Sequence, residues 1–277
     1  MSGRTGMGDR ARHLASTGLL ERILQGPIQF GRDWLVGFVR LQGFDRAVAL
    51  AGQTFTALVP LLIVYGAIVS RRTGNDFADQ IINAFDLHGS SAASVKQAIA
   101  STSEVESEIS VLGGLLLVVS ALSFTRALQR LYQLAFGQPS LGLRAAKWGL
   151  IWLAVVIAIL TLRPVVLSPF HGLTLLLLSI GIGALLWLVT PYILLARRIP
   201  WRRLVATAVL TSVGMTGLTL ASAIWMPHSV AVSAEQFGTI GIAFALLSWL
   251  VGAGLVLVVA AAGGSVIDAR LQQRAGR

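Results

Sequence analysis

Long apolar runs alternate with short, arginine-bearing connectors along most of this chain. The runs occupy about 47–69, 109–136, 148–167, 173–196, 204–224 and 237–262. A hydrocarbon core of roughly 30 Å takes about 20 helical residues to cross, so each run has the length of a spanning helix. The pattern predicts an all-α, polytopic membrane helix bundle with six transmembrane helices. Ahead of the first run, Phe30, Trp34, Phe38 and Leu41 fall at helical spacing, with Arg32, Asp33, Arg40 and Gln42 over much of the remaining surface. Residues 28–46 therefore read as an amphipathic helix lying in the interface, with a partner-binding helix as the alternative. Residues 1–27 and 269–277 read as polar, basic tails.

One connection is long. Residues 70–108 carry Asp76, Asp79, Asp86, Glu104, Glu106 and Glu108 against Arg71, Arg72 and Lys96. Phe77, Ile81, Ile82 and Phe85 keep helical spacing, as do Val95 and Ile99, which predicts two short helices forming an external cap. Asn75-Asp76 and Ser90-Ser91 are candidate N-caps for them.

Orientation follows from Arg197, Arg198, Arg202 and Arg203, which fall in one turn between two apolar runs. A guanidinium at the bilayer centre costs about 2.5–3.5 kcal/mol on insertion scales, so this turn lies outside the hydrocarbon. Positive charge in a short loop marks the cytoplasmic side, and alternation then assigns every other connector. On this map 18 basic and five acidic residues are cytoplasmic, against four basic and seven acidic outside. Both termini are expected in the cytoplasm. The first forty residues hold no apolar core followed by a small-residue cleavage site, so the run from Ala47 is expected to act as the insertion signal and to stay.

Composition agrees. Of 277 residues, 55% are apolar and 12% charged, with a mean hydropathy of +0.76. Soluble domains hold about 45–50% apolar and about 25% charged residues. The net charge of +10 would suggest nucleic acid in a soluble protein, but positive-inside bias alone accounts for it, so no nucleic-acid partner is expected. There is no cysteine, hence no disulfide, thiolate nucleophile or thiolate metal site.

Catalytic signatures are missing. His13, His88, His171 and His228 fall in tails or external loops, none with an i, i+4 partner for a metal. No nucleophile elbow, phosphate-binding loop or dinucleotide fingerprint occurs. No carboxylate lies deep in a predicted span, which argues against an intramembrane aspartyl protease or a simple proton relay. No enzyme activity, cofactor or metal is expected. The candidate substrate-binding residues are Gln53, Thr54, Thr56 and Pro60 of the first span, Arg163 near the outer end of the third, and Glu235 before the sixth. The first group is either a bendable polar path or a set of interhelical hydrogen bonds. Arg163 either attracts an anion or snorkels to the interface. Glu235 either lines the external mouth or sits at a helix start favoured by the dipole. Candidate hinge and packing residues are Pro164, Pro191, Gly238, Gly241 and Gly252. Thr207, Thr211 and Thr219, with Ser212, Thr216 and Ser222 beside them, predict a fifth span glued to its neighbours by hydroxyls.

The Ala47–Val69 run with Pro60 resembles the first span of the YihY/virulence factor BrkB family of bacterial inner-membrane proteins. So do Trp187-Leu188-Val189-Thr190-Pro191-Tyr192 leading into the arginine turn, and Gln236–Gly241 through Ser248-Trp249-Leu250. The similarity runs from Gly31 to Asp268. It implies six membrane helices, a plasma-membrane location and no established enzymatic activity, the older label ribonuclease BN being unsupported for the family. It also implies a role in transport or envelope lipid handling and in resistance to host serum. Two positions depart from many relatives. Ala57 replaces a serine three residues before the proline, and Ala260-Ala261-Ala262 stand where a carboxylate is common. The expectation is a protein that binds or moves an amphipathic, lipid-like substrate. The alternative is a scaffold for envelope machinery. Membrane lipids are the expected partners, with a second copy of the chain or an envelope protein as further ones.

Overall fold

The computed structural model describes residues 28–69, 82, 89, 92–93, 96–97, 107–142 and 144–275. The expected tail 1–27 and most of the expected cap 70–108 lie outside them. Residues 28–40 form α1, followed by α2 (Gly43–Val69), α3 (Ser107–Ala135), α4 (Arg144–Leu167) and α5 (Gly172–Leu194). The last helical segment, Trp201–Ala275, is broken at Gly238, whose φ of 60° and ψ of −139° no helix accommodates. Its arms are α6 (Trp201–Ser233) and α7 (Ile240–Ala275). No strand occurs among the described residues. Five helices are long and apolar enough to cross a bilayer: α3 from Gly114 onward, α4, α5, α6 and α7. The 27 residues of α2 add a helix of about 40 Å at 1.5 Å per residue.

Arms α6 and α7 pack as an antiparallel hairpin whose register is set by glycine. A Cβ on Gly264 would overlap Thr207, one on Gly214 would meet Val256, and one on Gly252 would touch Leu218. At the turn, a Cβ on Gly241 would strike the Ser233 carbonyl, so only glycine lets the chain reverse here. Close backbone approach without side chains is how membrane helices gain packing when burial from water drives nothing. Helix α2 joins the pair at Gly254, where an added Cβ would lie 2.6 Å from the Ala47 carbonyl oxygen.

The sixth span, α7, outlasts its expected end. Gly263-Gly264 reads as a terminator in sequence, yet both glycines are buried and neither has the positive φ of a C-cap. They are thin places where Trp34 and Thr207 press against α7. Residues 269–275, expected as a tail, continue the helix. The fifth span likewise runs past its expected end near residue 224 to Ser233. Met226, Val230 and Ala245 form a small core there, onto which Ile82 and Ala92 of the long connection pack.

Helix α1, expected to lie in the interface, packs one face onto the bundle. Its Phe30, Trp34, Phe38 face turns toward the protein, with Trp34 Nε1 donating to the Val259 carbonyl at 2.9 Å and Asp33 paired to Arg270. Leu35, Val36 and Val39 are left exposed on the other side. The helix stops at residue 40, and Gln42 takes a left-handed φ of 51° to turn the chain into α2.

The expected hydroxyl glue is mostly absent. Thr211, Thr216, Thr219 and Ser222 all donate to carbonyls four residues back on their own helix. The bridges between helices come instead from indoles. Trp152 Nε1 donates to Thr190 Oγ1 at 3.2 Å between α4 and α5, and Trp249 Nε1 donates to Ser222 Oγ at 2.6 Å across the hairpin. A hydroxyl finds an acceptor one turn away at no cost, whereas an indole is too long to reach its own backbone and must bond a neighbour.

Two stability outcomes follow. Gly254→Leu drives a side chain into the α2 backbone and is expected to cost about 3 kcal/mol or more. Gly217→Leu faces open space and should stay within about 0.5 kcal/mol of wild type. Equal melting temperatures for the two variants in detergent micelles would contradict the hairpin packing. The second outcome concerns Asp268, 5% exposed, which accepts from Arg203 Nε and Nη2 and from Gln272 Nε2. Removing the guanidinium strands a buried carboxylate, so Arg203→Ala should cost about 1–3 kcal/mol, less than a fully buried pair because that guanidinium is 40% exposed. Asp268→Asn should cost less than Arg203→Ala, and wild-type stability of both variants in denaturant unfolding would show the pair contributes nothing.

Candidate functional site

The residues singled out from sequence do not converge. Thr54 and Thr56 hydroxyls donate to Leu50 and Gly52 carbonyls of their own helix, and Thr56 is exposed. The helical backbone of α2 runs through Pro60 without interruption, and that of α4 runs through Pro164 to Leu167. Gln53 stays turned inward, with Oε1 buried and unpartnered. Arg163 is exposed near the end of α4 and Glu235 is exposed beside the α6–α7 turn. No hydrogen bond or ion pair among the described residues joins Gln53, Arg163 and Glu235. Pro191 is buried in the last turn of α5, where its carbonyl accepts from Leu195 N at 3.0 Å. Gly238 and Gly241 build the hairpin turn and Gly252 serves packing.

Inside the bundle, polar atoms recur without partners: Gln53 Oε1 on α2, Gln129 Oε1 and the Tyr132 hydroxyl on α3, Thr207 Oγ1 and Ser212 Oγ on α6. Each orphan costs about 1–3 kcal/mol of lost hydration.

The basic connectors gather at one end of the bundle. Arg198 Nη1 donates to the Pro139 carbonyl at 2.9 Å, tying the α5–α6 turn to the α3–α4 loop. The Arg197 guanidinium lies 5.9 Å from the Trp148 ring and 5.8 Å from that of Tyr192. Arg203–Asp268 and Arg270–Asp33 clamp the start of α6 and the middle of α1 to α7. The turn after α5 is tight, with Arg197 N bonded to the Tyr192 carbonyl and Ala196 N to that of Ile193. It closes with Ala196 and Arg197 in left-handed conformation, a strain of about 1–3 kcal/mol per residue that the surrounding contacts must hold.

At this end the last turns of α3 and the first turn of α4 enclose a cavity of about 380 Å³, lined by Arg126, Gln129, Arg130, Gln133, Ser140 and the backbone around Gly142. Helix α3 ends in a left-handed Gly137, with Gln138 N bonded back to the Gln133 carbonyl. Gly142, at φ 54°, then turns the chain into α4. The two helices cross closely where Gly149 faces Thr125, since a Cβ there would come 2.9 Å from the threonine methyl. Gln129 spans the crossing, its Nε2 donating to the Ala145 carbonyl at 3.0 Å.

Sequence reasoning passed over this constellation, although Arg126, Gln129, Arg130 and Gln133 recur at i, i+3, i+4 and i+7. That polar stripe on the closing turns of an apolar span was the available signal. It also placed Asp268 outside the spans, where the structure buries it in α7.

Neither the curated proteins nor the solved structures compared with the chain give a match. The sequence model of the family described as Virulence factor BrkB matches residues 35–276, from the middle of α1 to the last helical turn of α7. An all-α bundle of apolar helices, an arginine turn between α5 and α6, and a family match over nearly the whole length lead to one conclusion: the chain belongs to the Virulence factor BrkB family of membrane proteins.

Proposed function

We propose that this protein is a six-span component of the bacterial inner membrane, both termini cytoplasmic, that binds and moves an amphipathic, lipid-like envelope substrate without chemically altering it. The observation that carries this reading is the set of unpartnered polar atoms of Gln53, Tyr132, Thr207 and Ser212 on α2, α3 and α6, within a bundle whose outer faces are apolar. A purely structural bundle gains nothing from sealing an amide and three hydroxyls away from partners. A bundle that admits a headgroup or water keeps acceptors ready for it. Location and orientation rest on the charge asymmetry of the connectors.

The expected outcome is protein-dependent transbilayer movement of a fluorescent phospholipid in phosphatidylcholine vesicles. Gln53→Leu, which removes an orphaned amide, should slow that movement severalfold while leaving the melting temperature equal or higher. Vesicles that show neither lipid movement nor retained lipid after purification would overturn the proposal.

A further inference from the structure

We propose that the α3–α4 cavity binds a phosphate ester carrying an adjacent hydrogen-bond donor, the chemistry shared by glycerol- and ethanolamine-type headgroups and their soluble phosphate counterparts. The site lies apart from Gln53 and does not depend on whether the bundle moves its guest.

Charge supplies the first argument. Arg126 and Arg130 stand one turn apart on α3 and both line the cavity. Neither has a hydrogen bond, ion pair or ring contact among the described residues. Arg197, Arg198, Arg203 and Arg270 at the same end are each engaged. No Asp or Glu occurs between Glu108 and Glu235, and none lines the cavity. Two guanidiniums a turn apart repel each other, and the anion that offsets them must arrive from outside.

A buried amide supplies the second. Gln129 is 1% exposed, and its amide is fixed on one side by the Ala145 carbonyl. Its Oε1 is buried with no partner. An acceptor cannot bond a deprotonated oxyanion oxygen, so it calls for an O–H or N–H on the same guest. The cation pair and the lone acceptor together select an oxyanion with a donor beside it, not a bare anion. The 24-residue α4 begins at the cavity wall, and the positive end of its dipole favours the same charge. A volume of about 380 Å³ falls within the roughly 300–1,000 Å³ usual for small-molecule sites. Exposed Leu134 on α3 and Leu150 on α4 border this end and suit acyl chains lying alongside.

The test uses full-length protein in phosphatidylcholine nanodiscs, titrated with phosphatidylglycerol and, in separate arms, with glycerol 3-phosphate and with inorganic sulfate. Saturable stabilisation is expected with phosphatidylglycerol or glycerol 3-phosphate. Arg126→Gln/Arg130→Gln should weaken it about tenfold or more, the loss expected for charge-assisted hydrogen bonds. Both side chains are exposed and unpaired, so the variant should fold, as gel filtration checks. Arg274→Gln, at the same end but outside the cavity, should bind as wild type. Response to the lipid alone identifies a headgroup as the source, and equal response to glycerol 3-phosphate a soluble ester. Wild-type affinity in the double arginine variant overturns the site, as does inorganic sulfate, a bare anion at neutral pH, binding as tightly as the esters, because the buried amide would then select nothing.

Discussion

A guanidinium cannot rest in hydrocarbon, and the arrangement of this molecule follows from that constraint. Every arginine-bearing connector among the described residues, Arg163 near the far end of α4 excepted, is brought to one end of the bundle. The structure shows this as contacts and not only as alternation: Arg198 reaches the α3–α4 loop, Arg197 reaches Trp148, and Asp33 and Asp268 pair with arginines from other helices. Once charges are confined to an end, the helices between must be apolar and must pack without help from water. Glycine contacts and indole bridges supply that packing. The same confinement crowds cations, and Arg46, Arg197, Arg198, Arg203 and Arg270 each take up a ring, a carbonyl or a carboxylate. Arg126 and Arg130 are the two that receive none of these on the cavity wall.

The three indole bridges divide the work of holding the bundle. Trp34 pins α1 to α7, Trp152 joins α4 to α5, and Trp249 closes the α6–α7 hairpin. Interhelical hydrogen bonds in membranes average only about 0.6 kcal/mol, so they set register more than they add stability. Register matters most in the hairpin, where a slip of one residue would put Val256 or Leu218 against a position with no room. The docking of α1 also bears on its role. Deleting it would remove Trp34 and Asp33 from α7, so loss of function after deletion would not by itself point to a partner-binding scaffold. Substituting the exposed Val36 and Val39 leaves those contacts intact and isolates the outer face.

Hydropathy and charge made the membrane spans and the basic turn legible, because both are one-dimensional properties that local residues decide. Helix ends were less legible where a glycine has two uses. Gly263-Gly264 carries the composition of a terminator but serves as a contact surface, and only the position of Trp34 and Thr207 distinguishes the two. The hydroxyl series on α6 misled for a related reason: the spacing that aligns threonines on one face also lets each bond its own helix. The candidate site was legible in parts. Gln53 stood out as an amide in an apolar run and remains inward. Arg163 and Glu235 stood out as charges near span ends and remain on the surface. The cavity escaped notice because its meaning is tertiary. The stripe from Arg126 to Gln133 looks like an ordinary interfacial end until α4 folds back across it and fixes one side of the Gln129 amide.

That fold-back also makes the cavity preformed. The start of α4 is held by Gln129 at Ala145, by the close Gly149–Thr125 crossing, and by the Trp152–Thr190 bond to α5. The α3–α4 loop is held independently by Arg198. Moving one wall would break contacts to α3, α5 and the arginine turn together, so the walls resist collapse when empty. A guest therefore meets a site whose ordering cost is already met by the fold, and few contacts suffice for binding. The two arginines at its rim are free because the connector that could have neutralised them contains no acid, a property of the chain from Glu108 to Glu235 and not of any local packing accident.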